Sequence, residues 1–255
     1  MQLIDTHTHI FLQEFDSDRD QVIANARKNA VKKVLLPNVD GSTIDQLLTL
    51  VSKYPDFCYP MMGLHPTSVK ENYKEELNSI ENWLTLRKFY AIGEIGIDLY
   101  WDKSFKIEQE EAFRYQIDLA KHNNLPIVIH ARESFNEIFN IMNEVVDDKL
   151  TGVFHAFTGN ENQSKQIIEW GFKIGICGIV TFKNAGLDQV VHNIDINHIV
   201  LETDSPYLAP VPMRGKRNES AYIFYIAEKI AEIKNISIDE VAQVTTKNAK
   251  QLFRL

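Results

Sequence analysis

Cysteine is scarce in this 255-residue chain: Cys58 and Cys177 are the two present, and both lie in apolar, strand-like runs. So few cysteines exclude the bridge framework of a small secreted domain, and they read as buried free thiols in a reducing compartment. Long apolar runs are missing as well. No stretch approaches the ~20 residues of a membrane span. The first residues carry a charge at Asp5 and no apolar signal segment, so secretion is not expected and a cytoplasmic location is. Positive charge is in deficit, with 27 Lys and Arg against 35 Asp and Glu and a net charge of −8. Such a surface does not grip nucleic acid everywhere. A polyanion has to be held at a local basic patch, with metal ions adding positive charge. The chain has no low-complexity tract, no linker that divides it, and no catalytic serine or cysteine motif. Gly93 and Gly96 are not a dinucleotide fingerprint, because their spacing is wrong and no helix follows directly.

What the chain does have is an alternating rhythm. Strand-like runs fall at Gln2–His7, Lys33–Pro37, Cys58–Gly63, Ala91–Ile95, Ile127–His130, Gly152–Ala156, Lys173–Ile176 and His198–Glu202. Between them, apolar residues recur at three- and four-residue spacing, as in Val22, Ile23, Ala26 and Ala30, in Phe113, Ile117, Leu119 and Ala120, or in Phe135, Ile138, Phe139, Met142 and Val146. Ser237 and Glu240 make a capping box ahead of a last helix ending near Leu252. Repeated strand–helix alternation means a parallel sheet. Eight units in this length predict an α/β chain forming a single-domain (β/α)8 TIM barrel over residues 1–255. An open doubly wound sheet is the alternative.

Six side chains that bind divalent metal well, His7, His9, Glu94, His130, His155 and Asp204, fall at the ends of these runs. In the barrel those ends form the active face. Residues at i and i+2 of a strand share a face, so His7 and His9 can enter the mouth together. Glu94 sits in an otherwise apolar strand, and burying an unpaired carboxylate is costly, so it needs a metal or a cation. Imidazole and carboxylate without thiolate suit zinc, manganese, magnesium or iron. Six ligands suffice for two ions sharing a carboxylate, an arrangement that activates water for attack on a phosphoester. His122, His192 and His198 lie among polar residues at helix ends or near asparagines and read as structural.

These residues, in this order, resemble the TatD-type deoxyribonuclease family of metal-dependent hydrolases. The likeness covers nearly the whole chain. It rests on Asp5–His9, Gly63-Leu64-His65-Pro66, Gly93-Glu94-Ile95-Gly96-Ile97-Asp98, His130-Ala131-Arg132, His155-Ala156-Phe157-Thr158-Gly159, Glu202–Pro206 and Arg214-Gly215-Lys216-Arg217-Asn218-Glu219. The resemblance implies a TIM barrel and metal ligation by the six residues above, with His65 and Glu202 near substrate or behind the ligands. It also implies 3′ to 5′ polarity on DNA. The chain departs from the family pattern at Met213, where relatives carry His, and at Ser220, where they carry Pro. Both follow the ligands and bear on substrate grip.

The ligand chemistry suggests that His7, His9 and Asp204 hold one ion, His130 and His155 a second, and Glu94 bridges. Asp204 is open to three roles: ligand, general base, or both. Arg132 is placed either for a bidentate phosphate contact or for a salt bridge to a neighbour such as Glu133. Arg214, Lys216 and Arg217 form a basic cluster that either holds a DNA backbone or is a solvated loop. The expected activity is hydrolysis of DNA with two divalent ions (Mg, Mn or Zn), on single-stranded or frayed ends, because a barrel mouth is a cup and not a long groove. No membrane partner is expected, and the oligomeric state is open, a monomer being compatible. The alternatives are an amidohydrolase-like deacylase, esterase, lactonase or deaminase, including ester cleavage on a charged tRNA, and a non-catalytic metal-binding scaffold. Many two-metal amidohydrolases carry a carboxylated Lys on strand four. Glu94 in that place favours the phosphoesterase.

Overall fold

The computed structural model describes residues 1–255. Its strands are β1 (Leu3–Asp5), β2 (Val31–Pro37), β3 (Cys58–Met61), β4 (Ile92–Asp98), β5 (Ile127–Arg132), β6 (Gly152–Phe154), β7 (Lys173–Ile176) and β8 (Ile199–Leu201). Seven helices lie between them: α1 (Arg19–Lys28), α2 (Ile44–Lys53), α3 (Tyr73–Leu86), α4 (Lys106–Asn123), α5 (Phe135–Val145), α6 (Glu161–Glu169) and α7 (Leu187–Asn193). Two more, α8 (Ile223–Lys234) and α9 (Ile238–Phe253), follow β8.

The strands pair in parallel and in sequence order, as a three-stranded arc β1-β2-β3 and a five-stranded arc from β4 to β8. The arcs meet at two seams. At one, Met62 bridges Ile92, and the Gly93 N–H donates to the Met62 carbonyl at 3.0 Å. At the other, Thr8 bridges Ser205, and the Thr6 and Asp204 N–H groups donate to the carbonyls of Leu201 and His7 at 3.0 and 2.9 Å. The architecture is the expected (β/α)8 barrel.

Local chemistry explains the helix ends. Asn160 and Gln163 cap the start of α6 reciprocally. Ser237 accepts the Glu240 N–H at the start of α9, the forward half of the expected capping box. Left-handed asparagines, Asn124 and Asn235, close α4 and α8. Ala30 lies outside α1, in a left-handed conformation with φ 67°, so the predicted helix runs too long there. Val146 likewise falls one residue past α5.

Apolar residues occupy two layers. A cluster of 57 buried residues fills the space between strands and helices. A second cluster of nine sits on the barrel axis: Ile4, Leu35, Met61, Ala91, Val128, Val153 and Val200 point inward, and Ala249 and Phe253 of α9 plug the floor. Each such large side chain contributes roughly 1.5–3 kcal/mol by leaving water.

Two strand boundaries differ from expectation where it matters. β1 stops at Asp5 because the chain then alternates its donors between both neighbours, Thr6 N–H to Leu201, Thr8 N–H to Leu35 and His9 N–H to Ser205. His7 and His9 therefore stand just beyond the strand. β4 runs three residues past Ile95, paired to β5 as far as Asp98 opposite Arg132, so Glu94 lies mid-strand and not at its end.

Candidate metal centre

Five of the eight histidines, His7, His9, His65, His130 and His155, converge with Glu94 and Asp204 above the apolar floor. Glu94 is the hub. Its Oε2 lies 3.0 Å from His7 Nε2 and 3.8 Å from His9 Nε2. Its Oε1 lies 2.7 Å from His130 Nδ1, 3.4 Å from His65 Nε2 and 3.7 Å from His155 Nε2. Asp204 Oδ1 faces the same group, 3.6 Å from His9 Nε2, 3.7 Å from His155 Nε2 and 3.9 Å from His7 Nε2.

Three overlapping triads have donor atoms close enough for one ion: His7, His9 and Glu94; His7, His155 and Asp204; and His65, Glu94 and His130. This grouping differs from the expected partition in two respects. The His155 ring stacks on His7 with centroids 3.4 Å apart, which puts it beside Asp204. His65, expected near substrate or behind the ligands, stands next to His130 with its Nε2 within donor reach of Glu94.

The donor set fits divalent metal. Every donor is an imidazole nitrogen or a carboxylate oxygen. The Nδ1 atoms of His7 and His9 are buried without a hydrogen-bond partner, so both rings do their polar work at Nε2, and those two atoms lie 3.3 Å apart. The electrostatics agree. Burial pushes the Glu94 carboxyl up, but His65, His7, His155 and His130 outweigh it and hold Glu94 well below the usual range. Burial likewise raises Asp204, and His155, His9 and His7 reverse it, so Asp204 is held low. Burial and the neighbouring His155 push His7 down to about 4. Burial also disfavours charge on His155 and His130, yet Glu202, Glu94 and Asp204 raise His155 to about 10, and Asp98 and Glu94 raise His130 to about 9. Glu94 and Asp204, with Asp98 and Glu202 behind them, thus gather negative charge around His130 and His155, charge that cations can also neutralise.

Further residues hold these in place. Glu202, fully buried, accepts the Ala156 N–H at 2.5 Å, and its Oε1 lies 3.1 Å from His155 Nδ1, a charge contact without hydrogen-bond geometry that favours this orientation of the ring. Gly175 on β7 makes room for it: a Cβ there would come within 2.4 Å of Glu202 Oε2. Asp5 accepts from the Thr203 N–H and hydroxyl at 2.9 and 2.6 Å, tying β1 to the loop that carries Asp204. Asn218 Nδ2 donates to the Thr203 and Tyr207 carbonyls at 2.7 and 2.6 Å, clamping that loop from the other side. Asp204 itself adopts a left-handed φ of 56°, a conformation sparsely used outside glycine that clusters at functional sites.

Several contributors escaped the sequence reading. Asp98 Oδ2 lies 2.9 Å from His130 Nε2. Its signal was there, since Glu94, Gly96 and Asp98 share a face of one strand. Gln109 and Gln116, buried seven residues apart on α4, each grip a backbone amide with both ends. Gln109 holds Asp98 N–H at 2.8 Å and its carbonyl at 3.2 Å. Gln116 holds Leu64 N–H at 2.7 Å and its carbonyl at 3.3 Å, next to His65. No sequence pattern announces those contacts.

The structure sorts the basic residues among the alternatives left open for them. Arg132 makes no salt bridge to Glu133; its guanidinium lies over the Tyr100 ring at 4.0 Å and the Trp101 ring at 5.3 Å. Arg217 is spent internally, on Asp18 at 2.7 and 2.8 Å and on the Glu14 carbonyl, so the three-residue basic cluster is not a free patch. Arg214 packs over Phe182 at 4.1 Å. His122 and His192 bond to main-chain carbonyls of Asp118 and Ile233, away from the site.

The cluster forms the base of a cleft of about 720 Å³ lined also by Leu12, Val39, Trp101, Arg132, Ile179 and Tyr207. Against known proteins, the family model described as TatD related DNase matches residues 4–254. The chain belongs to this TatD family. A metal-dependent hydrolase of uncharacterised role from Bacillus subtilis, YabD, is 40% identical over 99% of both chains. A 3'-5' ssDNA/RNA exonuclease TatD from Pectobacterium carotovorum is 29% identical over 99% of this chain and all of its own. The crystal structure of YJJV, a TatD homologue from Escherichia coli, superimposes with a TM-score of 0.93 at 26% identity, over 99% of this chain and 98% of the other. As a TatD-family protein the chain is a metal-dependent hydrolase.

Proposed function

We propose that this TatD-family hydrolase is a deoxyribonuclease that takes nucleotides from single-stranded DNA ends, 3′ to 5′, with two divalent ions (Mg, Mn or Zn). The observation that supports it most is Glu94, within 4 Å of imidazole nitrogens on all sides at the base of the cleft. The name of the Pectobacterium relative points the same way. His7, His9 and Asp204 would hold one ion, with His155 beside them against His7 and Asp204, His65 and His130 would hold the other, and Glu94 would serve both. When bound, the ions supply charge for the phosphoryl oxygens and lower the pKa of a water.

The chain's own residues do the rest. Asp204, held ionised by its neighbouring histidines, is a ligand, the acceptor of the attacking water's proton, or both. Glu202 fixes the His155 ring through its Nδ1 edge. Arg132, without a carboxylate partner and exposed at the cleft, is free to bind a phosphate in bidentate fashion. Leu12, Val39 and Ile179 line the cleft with apolar surface that limits water. Residues in or just after each of the eight strands line the cleft, a cup at the barrel mouth that suits a strand end. No helix of the chain is long and apolar enough to cross a membrane. Cys58 and Cys177 are buried free thiols, which suit the reducing compartment of the expected cytoplasmic location.

The test is linear against circular single-stranded DNA of equal composition, alongside carboxylic ester and lactone substrates, with and without chelator. Chelator-sensitive release of nucleotides from the linear strand, 3′ end first, is the expected result. Equal cutting of the circle would make it an endonuclease. Turnover of ester or lactone with no action on DNA would move the same centre to carbonyl chemistry.

A further inference from the structure

Large apolar side chains are exposed at few places on this molecule, and the exposure is not evenly spread. Tyr100 (50%), Trp101 (69%), Tyr207 (52%) and Val211 (47%) account for half of the eight exposed large hydrophobics. All four lie in the two loops that follow β4 and β8, at the mouth. Trp101 and Tyr207 line the cleft itself. Neither indole nor phenol is needed there to hold the centre: the Trp101 side chain makes no hydrogen bond, and the Tyr207 ring reaches His9 edge-on with centroids 6.4 Å apart. Leaving two large rings in water forfeits the stabilisation their burial would give, so a ligand that covers them recovers it.

The charge around the cleft narrows the class of ligand. Arg132 is the one Lys or Arg among the lining residues, in a chain of net charge −8. Phosphate neutralisation by the protein therefore supplies little of the affinity for a polynucleotide. Aromatic faces supply it by another route, because every base has a π-face and stacking tolerates any sequence. Arg132 ties the two modes together: its guanidinium rests on Tyr100 and Trp101, so a phosphate on its fork places the attached base beside the indole.

Resting on the DNA reading above, we infer that Trp101 and Tyr207 are base-stacking platforms that select unpaired nucleotides, with Arg132 holding the intervening phosphate. A duplex cannot use them without unstacking, because its bases already face one another. The substrate class is then a base-bearing single strand of any sequence, and an abasic strand of the same charge is a poor ligand.

The experiment is fluorescence anisotropy of a labelled oligothymidylate protected from hydrolysis by a terminal phosphorothioate, against an abasic oligomer with the same number of phosphates, both with the metal-loaded protein. Stacking is worth roughly 5- to 150-fold in affinity per base. Trp101→Ala and Tyr207→Ala should each weaken the base-bearing strand by a factor in that range and leave the abasic strand's affinity unchanged, and Trp101→Phe should restore most of the loss. Equal affinity of the unsubstituted protein for both strands, or equal losses on both in the alanine variants, would overturn the stacking proposal and leave the nuclease reading standing. Failure to bind either strand would remove both.

Discussion

The two ends of the same barrel are built on opposite principles. At the floor, strand residues Ile4, Leu35, Met61, Val128, Val153 and Val200 meet Ala249 and Phe253 in a wholly apolar plug. A few residues further along the same strands, the interior turns to Asp5, His7, Glu94, His155 and Glu202, all buried. The floor gains free energy from leaving water, and the mouth gives it up to keep carboxylates and imidazoles together in a dry place. One set of strands serves both because side-chain direction, set by the pleat, is indifferent to polarity. Stability and chemistry are thus separable along the barrel axis, and variants at the two ends should fail in different ways.

The sharpest break comes at the hub. Glu94→Ala removes the carboxylate that faces all five histidines, and chelation removes the ions it would serve. Each should lower hydrolysis by orders of magnitude, with Mg²⁺ or Mn²⁺ restoring the chelated wild type but not the variant. Full turnover in excess chelator, or a near-normal rate for Glu94→Ala, would place the chemistry elsewhere.

The floor should answer the other way. Phe253 is 1% exposed and packed at the end of α9, so Phe253→Ala opens a cavity and should cost about 3–5 kcal/mol of folding free energy. Denaturant titration reads that directly. The rate per folded molecule at low temperature should stay near wild type. A folded Phe253→Ala protein with a large loss of turnover would show that the two ends are coupled after all.

A smaller and more selective loss is expected behind the ligands. Glu202→Gln keeps an acceptor for the Ala156 N–H but removes the charge beside His155, which by analogy with groups behind metal ligands should cost about 10–100-fold in turnover or metal affinity. We expect bound metal, counted by elemental analysis, to stay at wild-type stoichiometry in saturating metal. Gly175→Ala should mimic the loss, since its Cβ would fall within 2.4 Å of Glu202 Oε2 and displace the carboxylate. Metal lost outright from Glu202→Gln would make that residue a ligand.

How much of this was legible beforehand follows the same division. Strand and helix order was readable because each strand carries a short, mostly apolar run and each helix a stripe, and the histidines stood out at the run ends. Asp98 escapes a reading that ends β4 at Ile95, although Gly96 lets the strand continue: at φ 140°, a Cβ there would come within 2.1 Å of the His130 carbonyl oxygen, so only glycine fits. The grips of Gln109 and Gln116 were not readable at all, because a glutamine on an apolar helix face looks the same whether or not it meets a backbone amide. The basic cluster misled for a related reason. Nearness in sequence says nothing about whether a cation already has an acid, and Arg217 has Asp18.

That last distinction yields the smallest effect expected. Binding of single-stranded DNA should weaken with salt by a logarithmic slope of about −0.7 for each phosphate the protein neutralises. Arg132 lines the cleft without a carboxylate partner, whereas Arg217 is paired with Asp18 on both of its terminal nitrogens. Arg132→Ala should therefore flatten the slope by about 0.7 and weaken binding alike for all sequences. Arg217→Ala should leave the slope where it was and act on stability instead, by freeing the loop that Arg217 ties to Asp18 and Glu14. A slope changed by Arg217→Ala and untouched by Arg132→Ala would reverse the assignment, putting the phosphate contact on the loop after β8 and leaving Arg132 as a prop for the Tyr100 and Trp101 rings.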